Sequence, residues 1–135
     1  MKGRVVWVVD GDTIHVRIGK RVEKVRYIGV NAPEVPHETR WWPHGGEQAS
    51  AVNRVLVAKH VVRLELDVSH RDGWGRLLAY AWIVRSKKRV MANAEMVRRG
   101  YAQVMTIPPN VKYQELFLEL QREARAAGRG LWGRQ

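Results

Sequence analysis

The sequence predicts a mainly β fold with helices: a closed barrel of five strands with three α-helices packed against it. Two observations predict it. Short β-branched runs follow one another through tight turns, and apolar stripes at helical spacing lie between and after them. A doubly wound α/β sheet is disfavoured, because no crossover helix separates the first three runs.

The chain opens with "RVVWVV" (4–9), "TIHVRI" (13–18) and "KVRYIGV" (24–30), a short meander bounded by Asp10-Gly11 and by "GKR" at 19–21. Asp10-Gly11 reads as a hairpin turn in which glycine supplies φ > 0. Residues 31–46, "NAPEVPHETRWWPHGG", hold three prolines and a glycine pair without periodicity, the mark of a long functional or mobile loop. A helix is expected from Glu47 to His60, with Ala49, Val52 and Leu56 on its inner face. "VVRLELDV" (61–68) then reads as a strand, "SHRDGWG" as a turn and "RLLAYAWIV" (76–84) as another strand. "ANAEMVRRG" is a short helix stopped by Gly100, its arginines complementing the helix dipole. The last helix runs from Lys112 to Ala127 with the stripe Tyr113, Leu116, Phe117, Leu120 and Ala124, and Gly128 stops it. No repeat or composition shift divides the chain, so residues 1–135 are expected to form one domain, a Greek-key barrel of the OB type.

Lys and Arg number 24 against 13 Asp and Glu, a formal charge of +11 and a pI near 10.7. Such an excess suits a polyanion: nucleic acid first, an anionic membrane second. The absence of cysteine excludes disulfides and thiolate metal sites. No run is long enough to span a bilayer, and "MKGRVVWVVDGD" lacks the core of an export signal. The expectation is a cytoplasmic monomer, or a secreted one if a leader was removed.

Against this basic background a few residues stand out. Asp10 and Asp12 offer hard oxygen ligands suited to calcium or magnesium. Arg26, inside a run that should be largely buried, needs an anion, either an internal carboxylate or a phosphate. Arg76 opens a strand directly after "DGWG", and Glu34 follows a proline that fixes the backbone beside it. Two arginines can grip phosphate in bidentate fashion, and a glutamate near a metal can take a proton from water. Together these are the parts of a phosphodiesterase.

At these residues the chain resembles the staphylococcal nuclease (thermonuclease) family. "VVDGDTIHV", "VRYIGVNAPE", "DGWGRLLAYAWI" and the ending "EARAAGRGLW" match its motifs in order and cover nearly the whole chain. The resemblance implies an OB-fold barrel with three helices. It also implies a calcium-dependent endonuclease that acts on DNA and RNA and leaves 3′-phosphate and 5′-hydroxyl ends. By position it implies Asp12, Asn31 and the Ala32 carbonyl as calcium ligands, with Asp10 as a supporting carboxylate. Arg26 and Arg76 would bind the scissile phosphate, and Glu34 would be the general base. Two departures stand out. The family's best-known member carries Asp-Thr where this chain has Asn31-Ala32, so one negative charge is missing from the metal site. Its nucleotide-flanking tyrosines fall around "MTIPP" (105–109), where no aromatic stands.

Trp41 and Trp42, with Arg40, are candidates to stack on unpaired bases beside a phosphate. Lys87 and Lys88, in "RSKKR", extend the phosphate-facing field. Trp7, Trp82 and Trp132 read as core or edge packing. The histidines lack zinc-site spacing. Two alternatives to an enzyme remain: a non-catalytic nucleic-acid-binding barrel of the same fold, and a protein-interaction module.

Overall fold

The computed structural model describes residues 1–34, 45–85 and 87–134. Strands β1 (Lys2–Val8), β2 (Thr13–Ile18) and β3 (Arg21–Tyr27) form the expected antiparallel meander, and β4 (Val30–Asn31) follows it. Helix α1 (Gly45–Val57) leads into β5 (Val61–Glu65), β6 (Leu77–Val84) and β7 (Arg89–Met91). Helix α2 (Ala92–Arg98), the two-residue β8 (Gln103–Val104), helix α3 (Gln114–Ala127) and a final 3-10 turn (Gly130–Arg134) complete the chain.

The main sheet has the order β3-β2-β1-β5-β6-β7, and parallel pairing of β3 with β6 closes five of these strands into a barrel. Closure gives β3, otherwise an edge strand, a neighbour on both sides. Period-2 alternation fills the interior: Ile14 and Val16 from β2, Val25 from β3, Val62 and Leu64 from β5, and Ala79, Ala81 and Ile83 from β6 are all buried. Each fully buried residue of valine or isoleucine size contributes about 1.5–3 kcal/mol. Asn93, buried on α2, ties the closure together. Its amide donates to the carbonyls of Ile28 and Ala79 and its oxygen accepts from Ala81 N–H.

Several sequence expectations shift. "KVRYIGV" is not one strand: it breaks at Gly29, whose φ of +82° and contact with the Phe117 ring leave no room for a side chain. Helix α1 starts two residues earlier than expected and ends at Val57, because the chain turns through Lys59 at φ 65°. Helix α3 buries Phe117 and Ala124, half-buries Leu120 and leaves Leu116 exposed, so its inner stripe is narrower than expected. Trp82 and Trp132 are half-buried as expected, but Trp7 is 63% exposed. A register shift between Val5 and Trp7 inserts Val6 as an extra residue, which turns both Val6 and Trp7 outward while Val5 and Val8 stay in the core. No helix among the described residues is long and apolar enough to cross a membrane.

Candidate active site

The loop between β1 and β2 is held open by its own carboxylates rather than by a two-residue turn. Val9 and Asp10 N–H both reach the Thr13 carbonyl, and Asp12 N–H donates to Asp10 Oδ1 at 3.0 Å. Gly11 does not take the positive φ expected of it. Its role is close approach: a Cβ there would lie 2.6 Å from Ala32 Cβ and 2.9 Å from Ala49 Cβ. The loop therefore packs directly on the residue after Asn31 and on the inner face of α1. Asn53 of α1 fastens it further, donating to the Asp10 carbonyl at 2.9 Å while accepting from Tyr27 Oη at 2.7 Å. An asparagine amid the apolar face Ala49, Val52 and Leu56 was the sequence signal for this role, and the pattern reading passed over it.

Asp12 is 2% exposed and sits at the centre. Its Oδ1 accepts from Thr13 Oγ1 at 2.9 Å, and its Oδ2 accepts from Ala32 N–H at 2.8 Å. The same Oδ2 faces Arg26 Nη2 at 3.4 Å. Arg26 fans out from β3: Nη1 donates to the carbonyls of Tyr27 (2.9 Å) and Val30 (2.8 Å), and Nη2 to Asn31 Oδ1 (3.2 Å). The structure thus brings together Asp10, Asp12, Arg26, Asn31 and Ala32. Of the anionic partners considered for Arg26, the guanidinium meets the internal carboxylate of Asp12, and it also lines a surface cleft.

Burial first, and then the neighbouring charge of Asp12, push the Asp10 carboxyl up to about 7; Arg26 offsets part of this. Two carboxylates packed out of water with incomplete compensation mark a place that favours a cation. The donors present are the carboxylates of Asp10 and Asp12, the Asn31 amide oxygen and the Ala32 carbonyl, all hard oxygens that fit calcium or magnesium. Among the described residues no three Asp, Glu or His side chains converge, so amide and carbonyl oxygens, water or substrate phosphate would complete any such site.

Arg76 enters from the turn before β6. Asp72 holds it twice, accepting Arg76 N–H at 2.9 Å on Oδ1 and Arg76 Nε at 2.7 Å on Oδ2. Its two terminal nitrogens have no hydrogen-bond partner among the described residues, so the fork is oriented and free for an anion. Arg26 and Arg76 line one cleft of about 320 Å3, whose apolar wall includes Met105 and Ile107. Trp74, 83% exposed, stands in the same cleft with Arg76 Cζ 5.4 Å from its ring centre. Trp74, from the "DGWG" turn, is an exposed aromatic in this cleft, a residue the sequence reading treated as part of a turn only. Asp72 was missed as a positioning residue for the same reason.

The described contacts do not draw the other expected site residues into this cluster. Glu34 is exposed, following the buried pair Ala32 and Pro33. Lys87 and Lys88 are exposed between β6 and β7, and Lys88 lines a separate shallow cleft with Arg63, Trp82 and Lys112 rather than the cleft of the two arginines. Arg40, Trp41 and Trp42 lie outside the described residues.

A closed OB-type barrel with a paired-carboxylate loop and two preset arginines at one cleft defines a phosphodiesterase class. The model of the family described as "Staphylococcal nuclease homologue" matches residues 24–134. The Thermonuclease of Staphylococcus hyicus is 35% identical over 96% of this chain and 74% of its own length. The Thermonuclease of Staphylococcus intermedius is 37% identical over 94% of this chain and 73% of its own. Endonuclease YncB of Bacillus subtilis is 34% identical over 93% of this chain and 59% of its own. The chain belongs to the staphylococcal nuclease family and is a nuclease of that type. Membership decides against a purely non-catalytic barrel.

Proposed function

We propose that this nuclease cuts DNA and RNA internally, needs calcium, and shows little sequence specificity. It breaks the P–O5′ bond and leaves 3′-phosphate and 5′-hydroxyl ends. The observation that carries the reading is the free, Asp72-oriented fork of Arg76 facing the same cleft as Arg26 beside the Asp10–Asp12 loop. The relatives named thermonuclease and endonuclease support the same activity.

Asp12, Asn31 and the Ala32 carbonyl would hold the ion, with Asp10 in support; bound there, calcium supplies positive charge that polarises the phosphoryl oxygens. Arg76 clamps the scissile phosphate with its terminal nitrogens, and Arg26 adds charge as negative charge builds on the phosphoryl oxygens. Glu34, carried by a segment tied down at Ala32, accepts the proton of the attacking water. The water oxygen bonds to phosphorus, the P–O5′ bond breaks, and the 5′ oxygen leaves as a hydroxyl after taking up a proton. The cleft offers groups that grip phosphate, and none of the described elements presents a row of side chains to base edges, in keeping with low specificity.

Incubation of the pure protein with plasmid DNA and with RNA, in calcium or in EDTA, tests the reading. Cleavage of both in calcium alone is expected, with labelled ends that a 3′-phosphatase converts. Products bearing 5′-phosphates, or equal activity in EDTA, overturn it.

A further inference from the structure

Among the described residues, Trp7 is an exposed aromatic that does not line the catalytic cleft. The register sets it opposite His15 of β2, and His15 opposite Lys24 of β3. The next pair along, Thr13 opposite Arg26, belongs to the cleft. Lys24 and Arg26 share one face of β3, since Val25 and Tyr27 between and beyond them are buried in the core. Two residues along a strand span about 6.6–6.8 Å, so Lys24 lies roughly that far along the face from the arginine at the cleft. Burial, and then the charge of Lys24, hold the His15 imidazole below its ordinary pKa, as expected of a ring beside a cation.

Beyond this row the face continues with Arg4 opposite Arg17. Arg4 is fixed by a hydrogen bond from Nη1 to the Lys59 carbonyl. Beside β1, Trp7 borders a groove of about 170 Å3 that Arg54 and Lys59 also line. Neither cross-strand row, Trp7–His15–Lys24 or Arg4–Arg17–Val22, contains a carboxylate. Trp7, 63% exposed, stands at the β1 end of the first row and offers its ring to solvent beside these cations.

We propose that the outer face of β1, β2 and β3 carries a single-stranded nucleic acid away from the scissile phosphate. Lys24 meets a phosphate adjoining the one held at Arg26, and Trp7 gives an unpaired base a stacking platform. The inference rests on the nuclease reading above and deepens it by extending the substrate contact beyond the cleft. Its basis is charge complementarity and continuity of one strand face with the catalytic arginine.

The test compares a dinucleotide, which fills the cleft alone, with a 12-nucleotide single strand, both bound in EDTA and checked to be uncut. Trp7→Ala is expected to weaken the 12-mer about tenfold, within the range for loss of one stacked base, and the dinucleotide less than twofold. Trp7→Phe should restore most of the affinity, because a ring remains. Lys24→Gln should lower the salt slope for the 12-mer by about 0.7. Equal losses for both ligands, or no loss for either, overturn the proposal. So does a length-dependent loss in Arg63→Ala/Arg89→Ala with none in Trp7→Ala, which would send the strand over the cleft that Arg63 and Arg89 line. If the parent protein binds neither ligand and cuts no nucleic acid, the underlying reading fails as well, a result distinct from a parent that binds both while the variants behave like it.

Discussion

At the scale of single residues, Arg26 and Arg76 share a side chain but differ in how much of it the fold already uses. Arg26 spends Nη1 on two backbone carbonyls and Nη2 on Asn31 and Asp12, whereas Arg76 commits only Nε. Lysine in either place keeps the charge and loses the fork. Arg76→Lys is therefore expected to lower single-turnover rates by about 10²–10³-fold, by analogy with loss of one preorganised donor. Arg26→Lys should lose a similar factor and also melt at a distinctly lower temperature, because the Tyr27 and Val30 carbonyls lose their donor. Near-normal turnover in Arg76→Lys would show that its fork does not meet the phosphate. Asn31 offers an amide oxygen where a carboxylate would bring a full charge to the cation, and ligand charge is a main control of calcium affinity. Asn31→Asp should lower the half-saturating calcium concentration by a factor on the order of ten, read from a calcium titration of activity. An unchanged or higher value would remove Asn31 from the ligand set.

At the scale of elements, the site depends on how closely the β1–β2 loop lies on α1 and on the segment after β4. Gly11 is the point of contact. Gly11→Ala places a methyl within 2.6 Å of Ala32 Cβ, so the loop must shift. A loss of about 1–3 kcal/mol is expected in denaturant unfolding, with a fall in activity larger than the fall in folded fraction. Stability equal to the parent would mean that the loop relaxes freely and does not set the position of Asp12. On α2, hydrogen bonds from Arg98, opposed by partial burial and reinforced by Arg99, hold the Glu95 carboxyl below its usual range. A lowered folded pKa stabilises the fold above the unfolded value of about 4.5 and ceases to do so as the pH falls through the folded one. Glu95→Gln should cost about 0.3–0.5 kcal/mol per helix pair lost at neutral pH, and the gap between parent and variant should close in melts below that range. A gap that persists in acid would assign the effect to packing.

At the scale of the whole molecule, the formal charge is +11 while Asp10 and Asp12 are buried, so the net field attracts polyanions. Binding of duplex DNA in EDTA should weaken steeply with salt, each phosphate contact adding about −0.9 to the log–log slope. A nearly flat dependence would set nucleic acid aside as the natural substrate. The barrel, its meander and the helix stops at Gly100 and Gly128 were legible in the chain, because period-2 and helical apolar patterns and glycine stops act over a few neighbouring residues. An internal carboxylate for Arg26 was among the partners read from the chain, but only the fold identifies it as Asp12. Other features needed the closed barrel. The reason for Gly11 is a clash with Ala32 and Ala49, 21 and 38 positions away in the numbering. Trp7 faces water because one extra residue in β1 shifts its register. Asn53 and Asp72 acquire their roles only when Tyr27, Asp10 and Arg76 arrive beside them. Local pattern determined which elements form and which residue types carry the chemistry. Register, barrel closure and close contact between distant segments decided which of those side chains meet, since such contacts depend on distances that no stretch of neighbouring residues encodes.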